Sequence, residues 1–289
     1  MTINPQHTFE EEHDDHGGLH RDVPALVGRR DMLRIMGGLS LAGLLAACGV
    51  GANPASTTSS TAGSSITSSS GSSTIVGSST SSATAGEEIP DETAGPYPAD
   101  GSNGPNVLDD EGIVRSDITS SFGGSSGVAE GIPFAFNLSL VEAASGSAIP
   151  GAVVYLWHCT AGGQYSLYEI EDENFLRGVQ VSDEAGRVSF TSIFPGCYAG
   201  RWPHAHFEVY SSLEEATAGS SAIKTSQLAL PQTDCEAAYA DRRYGNSAQN
   251  LSQLSLDTDN VFSDGWTDQL AALSGSQSDG YTASLLVRI

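Results

Sequence analysis

The chain has 289 residues, a formal net charge of −23 and a pI near 4.3. That length admits one large or two small domains. So acidic a chain lacks the Lys and Arg that displace counterions from nucleic acid, and surface charge would not hold it on anionic lipid. The charge is read as a solubility feature, and frequent Gly and Pro suit an all-β domain rich in turns.

In residues 1–20, His7, His13, His16 and His20 sit among acids. They suggest either a metal-binding tail or, as the preferred reading, a disordered extension ahead of a signal. Arg29-Arg30-Asp31-Met32-Leu33 then precedes an apolar run from Ile35 to Ala47. The run is too short to span a bilayer and right for the core of a signal peptide. Paired arginines before such a run resemble a twin-arginine export signal. Leu45-Ala46-Ala47-Cys48 resembles the lipobox of bacterial lipoproteins. An ordinary secretory signal with a chance Cys is the plainer alternative. The expectation is that residues 1–47 are removed and that Cys48 is lipidated, giving an exported protein anchored to the membrane outside the cytoplasm. Residues 48–86 are nearly all Ser, Thr, Gly and Ala after the Cys and read as a flexible tether with an end-to-end distance of roughly 35 Å. Residues 87–289 remain for one globular domain. Removing residues 1–47, with their four Arg and seven acids, leaves 8 basic and 28 acidic side chains and only His158, His204 and His206.

Within that domain, Phe134, Phe136, Leu138 and Leu140 alternate with smaller or polar residues, a strand period. Val153–Trp157 is β-branched and aromatic and predicts a buried strand. Val188–Phe190, His206–Tyr210 and Ser284–Ile289 read the same way. Turn signals fall at Ser145-Gly146, Gly162-Gly163, Ala185-Gly186 and Pro195-Gly196. Helical signals are weak, the best being Asp234–Arg242. Spaced strands with turns between them predict a sandwich or barrel.

His204-Ala205-His206 is the sharpest local signal. Residues i and i+2 of a strand share a face, so both imidazoles can reach one metal. With no C-x-x-C pair in the domain, a zinc–thiolate site is disfavoured and N and O donors are expected. The alternative is two histidines on a solvent-facing strand. His158, next to Trp157, is a third candidate ligand but reads better as a satisfied core histidine. Cys159, Cys197 and Cys235 suggest one disulfide with one thiol left over.

An ordered series of motifs resembles the intradiol dioxygenase family. It comprises Glu92-Thr93-Ala94-Gly95-Pro96-Tyr97, Arg115-Ser116-Asp117-Ile118, Ile149 to Trp157, Gly163-Gln164-Tyr165-Ser166, Phe175-Leu176-Arg177-Gly178, Ser182 to Gly186, Phe194 to Tyr198, and Arg201 to His206. The resemblance implies an all-β sandwich with long irregular loops and little helix. It also implies one non-haem Fe(3+) held by Tyr165, Tyr198, His204 and His206. Arg201 falls at the family's active-site Arg, and Gln227 at the Gln that supports it. Tyr198 is expected to leave the metal when substrate binds and to act as a base. The implied reaction cleaves a catechol-type aromatic diol with O2 to a muconate-type product. There are departures. Only five residues separate Tyr198 from His204, Trp202 replaces a Pro, and no helical dimerisation segment precedes Glu92. The short loop and the Trp157-His158-Cys159 sequence look more like the exported branch of the family, and the missing helical segment leaves the oligomeric state open. A Cys197–Cys235 disulfide pinning the short loop, with Cys159 free, is the expected pairing, and a bridge involving Cys159 is the alternative. Two other readings compete: a tethered, non-catalytic β-sandwich that binds polysaccharide or aromatic polymer through Trp202 and its neighbours, and a metal scavenger without turnover.

Overall fold

The computed structural model describes residues 83–219 and 221–289, which lie within one compact unit. The signal over residues 1–47, the lipidation site Cys48 and most of the tether lie outside the described residues. Two four-stranded sheets face each other. The first has the order β4 (Arg187–Ile193), β1 (Pro133–Val141), β8 (Gly280–Arg288), β7 (Ala272–Ser276). The second has the order β3 (Arg177–Val181), β2 (Val153–Trp157), β5 (His204–Tyr210), β6 (Lys224–Ala229). All pairings are antiparallel except β1 with β8, where Phe134 to Val141 run alongside Tyr281 to Arg288. Among the described residues three short helices, α1 (Leu213–Thr217), α2 (Gln232–Ala238) and α3 (Ser247–Leu251), sit in the connections. None of the described helices is long and apolar enough to cross a membrane.

The sheets differ in how they are covered. Burial alternates along β1 and β4, so one face packs inward and the other meets solvent. Every residue of β2 and β5 is buried, so the second sheet is covered on both sides. Its inner face adds Val154, Leu156, Ala205, Phe207 and Val209 to the core between the sheets, against Phe136, Leu138 and Phe190 of the first. Its outer face carries Val153, Tyr155, Trp157 and Tyr210 into a second apolar cluster. The cover there is irregular chain. It is stitched on by backbone bonds from Glu92 to Thr225, Arg115 to Val179 and Leu176 to Ile118. Buried Arg177 joins two of these covering segments. It donates to the Pro98 carbonyl (3.0 Å) on one side and to the Ser166 hydroxyl and carbonyl (3.0 and 2.9 Å) on the other.

The five strands expected from sequence are present. β3, β6 and β7 were not expected, and the helix sought at 234–242 lies at Gln232–Ala238. The expected Cys197–Cys235 bridge is absent, because Cys159, Cys197 and Cys235 are all free buried thiols. The Cys197 thiol turns to the Arg201 carbonyl at 3.6 Å and that of Cys159 to the Gly196 carbonyl at 3.5 Å. Burial raises the Cys197 thiol to about 12 and Cys235 well above its ordinary value, so both stay protonated and unreactive.

His158 is a core residue. Its Nδ1–H donates to the Cys159 carbonyl (2.8 Å), Nε2 accepts from the Ser192 hydroxyl (2.7 Å), and the ring packs on Phe136. Burial, only partly offset by the carbonyl contact, lowers it from the ordinary 6.5 to about 4. A depressed folded value means that the unfolded chain takes up the proton first as pH falls. Between pH 6.5 and about 4, His158 should therefore cost roughly 3 kcal/mol of stability. The slope of unfolding free energy over that range should be shallower in His158→Gln than in the wild type. Parallel slopes by chemical denaturation would contradict this.

Candidate metal and catalytic centre

β5 points His204 and His206 to the outer face of the second sheet, where both are buried. The Nε2 atoms of the two rings lie 3.1 Å apart. Tyr165, from the β2–β3 connection, brings its hydroxyl to 3.3 Å from His206 Nε2. Tyr198, from the β4–β5 connection, brings its hydroxyl to 3.2 Å from His204 Nε2. Four side chains from three segments thus meet at their polar tips.

The surroundings fix these groups. Trp157, directly opposite His206 in the β2–β5 register, stacks on its ring at 4.9 Å and 7°. His204 gives its Nδ1–H to the Trp202 carbonyl, which leaves a bare lone pair at Nε2 while the ring is neutral. Gly163 and Gly95 allow close approaches from the covering chain. A Cβ on Gly163 would lie 3.1 Å from Tyr198 Cβ, and one on Gly95 would lie 3.2 Å from His206 Cε1. Tyr97 packs on Tyr165 with ring centroids 5.1 Å apart. Tyr165 is buried, whereas Tyr198 is partly open to solvent.

Desolvation dominates the electrostatics. It lowers His204 and His206 well below 6.5, with the Arg201 charge adding to both and the His204 ring to His206, so both rings are neutral. It raises Tyr165 and Tyr198 well above 10, holding them as phenols. The centre is a buried set of two phenols and two neutral imidazoles, with His206 Nδ1 lacking a partner. Two converging nitrogens and two oxygens, without a thiol, match the donor preference of a hard metal ion. Among the described residues no group of three or more His, Cys, Asp or Glu is arranged for a metal, so a site here depends on the tyrosines.

Arg201 lies alongside. Its Nε donates to Asp259 at 3.0 Å and its Nη2 to Gln227 Oε1 at 2.6 Å. Gln227, on β6 directly across from His206, is fully buried and donates in turn to the Thr93 carbonyl at 2.8 Å. The structure therefore brings together all six site residues read from the sequence. Asp259, Trp157 and Phe262 were missed. Phe262 lies edge-on to His204 at 6.4 Å, with the Arg201 guanidinium over its ring at 5.8 Å. Trp202, offered as a binding platform, is buried and donates its indole N–H to the Leu230 carbonyl at 2.8 Å. It presents no aromatic face to a polymer.

Residues 112–216 match the family model described as Dioxygenase. Chlorocatechol 1,2-dioxygenase of Rhodococcus opacus is 42% identical over 60 residues, which span 20% of this chain and 23% of that protein. An intradiol ring-cleavage dioxygenase of Tetranychus urticae superposes with a TM-score of 0.55 at 25% identity, over 70% of this chain and 94% of its own. A second solved dioxygenase, Tetur07g02040, gives a TM-score of 0.56 at 22% identity over 71% of this chain and 94% of its own, a likeness of fold alone.

Gly95 and Gly123 both hold positive φ, +74° and +67°, but a Cβ at Gly123 would meet open space. Ala at Gly123 should cost only the conformational penalty of about 1–2 kcal/mol. Ala at Gly95 should cost more, because it also presses on the His206 ring. Equal losses in chemical denaturation would contradict the close packing over His206.

Proposed function

We propose that this chain, a dioxygenase domain on the fold of the intradiol ring-cleavage enzymes, cleaves catechol-type diols with O2 to muconate-type dicarboxylates, using one non-haem ferric ion held by Tyr165, Tyr198, His204 and His206. The observation that carries this reading is the convergence of those four donor tips, with contacts of 3.1, 3.2 and 3.3 Å. A ferric ion bound there would chelate the diol as a Lewis acid and favour reaction of the ring with O2. Its charge would also reverse the local bias on the tyrosines, since a cation beside a phenol favours the phenolate.

The residues divide the remaining work. Tyr165, buried and packed under Tyr97, is a fixed wall of the site. Tyr198, the more open of the two, is placed to take a diol proton at its Oη as substrate enters. Arg201 holds a positive charge beside the reacting ring, clamped at Nε and Nη2 before any charge develops. A group fixed in this way needs little reorganisation as negative charge builds on the substrate. Trp157 keeps the His206 ring from turning, and Gln227 sets one edge of the Arg201 guanidinium. The buried Trp202 leaves the rival reading, a non-catalytic polymer-binding module, without its platform.

Protein reconstituted aerobically with ferric iron should be wine-red from tyrosinate-to-iron charge transfer and should take up O2 with catechol. His204→Ala, His206→Ala protein should bind no stoichiometric iron and stay colourless. Full iron occupancy in that double variant would refute the ligand assignment. A red protein that consumes no O2 with any catechol would favour a metal scavenger.

The paired arginines at 29–30, the apolar run and the Cys48 lipobox support export through the twin-arginine route and a lipid anchor, with residues 48–86 as tether. The partners are then a small aromatic diol, O2 and the membrane. Cys48→Ala protein should move from the membrane fraction to the soluble fraction, and unchanged membrane association would contradict the anchor.

A further inference from the structure

Asp259 lies between two short 3-10 turns, Leu256–Thr258 and Phe262–Asp264, and its side chain is fully enclosed. One oxygen accepts the backbone N–H groups of Val261 (2.9 Å) and Phe262 (3.2 Å). The other accepts the Trp202 N–H (2.7 Å) and Arg201 Nε (3.0 Å), and the same Nε lies 3.3 Å from the first oxygen. A single carboxylate thus divides its acceptor positions between its own loop and a segment 57 to 58 residues earlier.

Three of these contacts, to Arg201, Trp202 and Phe262, reach the site. With Nε on Asp259 and Nη2 on Gln227, the planar guanidinium of Arg201 is held at two of its three nitrogens. Trp202 gives its N–H to Asp259 and accepts Nδ1–H of His204 at its carbonyl, so one residue of backbone separates the carboxylate from a ligand ring. Phe262, whose N–H Asp259 also holds, packs against both His204 and Arg201. A pair serving stability alone would need only the Arg201 contact. The N–H bond to Trp202 and the two bonds within its own loop set direction.

We propose that Asp259 is a positioning residue of the reaction: through Arg201 it aims the site's fixed charge, and through Trp202 it sets the ring angle of His204. This rests on the dioxygenase reading above. Outer partners of metal ligands commonly change affinity or activity about 10–100-fold when altered.

The test uses iron-loaded wild type, Asp259→Asn, which keeps the shape, and Asp259→Glu, which keeps the charge but displaces it by one methylene. Thermal melts establish which variants are folded. In each folded variant kcat for catechol should fall about 10–100-fold while KM moves less than about threefold. The visible tyrosinate–iron band should keep its intensity but change position as the His204 ring turns. Arg201→Ala alone should lower kcat about 10²–10³-fold. Asp259→Asn should cost at least about threefold less in that background than in the wild type, since one of its two targets is already gone. Wild-type kcat and band position in a folded Asp259→Asn or Asp259→Glu protein would overturn the proposal, as would losses that multiply fully with Arg201→Ala. Should Asp259→Asn not fold, Asp259→Glu decides the matter. If wild type itself shows neither band nor O2 uptake, the dioxygenase reading fails and this inference with it.

Discussion

Two neutral imidazoles with their Nε2 atoms 3.1 Å apart, and two phenols against them, form a buried cluster rich in lone pairs. Polar groups taken out of water need partners, and an underprovided set costs free energy. Here His204 has given its Nδ1–H to Trp202, and His206 Nδ1 has no partner at all. A cation would satisfy all four tips together. The other features of the second sheet's outer face serve to keep these four groups together.

That face explains the uneven architecture. The first sheet has one solvated side and reads as ordinary alternation. The second is buried on both sides, because loops in place of a third sheet cover its outer surface. Loops bury poorly unless their backbone groups are satisfied, which is where the buried polar side chains enter. Arg177 ties the 90s segment to the Tyr165 loop, Gln227 ties it to Arg201, and Asp259 ties the 256–264 segment to the residues just before His204. Glu208, two residues beyond His206 and buried with the Tyr210 hydroxyl 2.7 Å from its carboxylate, belongs to the same layer. Burial raises it to about 7.

Much of this was legible in the sequence, for identifiable reasons. β1 and β5 announce themselves because a one-sided strand alternates and because His-Ala-His on a strand must share a face. The six site residues followed from motifs whose order is kept along the chain. β6 was hidden because Lys224 and Gln227, buried through specific partners, look like surface residues. β7, with Ser274, Gly275 and Ser276, has almost no apolar signal. Asp259 was illegible because its meaning lies in two residues 57 and 58 positions earlier, one of which offers only a backbone N–H. The disulfide arithmetic assumed that thiols in an exported domain pair, whereas packing encloses each of these three separately. Trp202 reads as a binding platform in sequence, whereas its buried indole donates to the Leu230 carbonyl.

If both tyrosines and both histidines bind one ferric ion, as proposed, both phenolates must appear in its spectrum. Resonance Raman spectroscopy of the iron-loaded protein, excited in its visible band, tests it most directly, because only coordinated tyrosinate is enhanced there. Two sets of tyrosinate modes are predicted in the wild type, one lost in Tyr165→Phe and the other in Tyr198→Phe. Iron-loaded protein without tyrosinate modes, or with modes unchanged in both variants, would contradict the account.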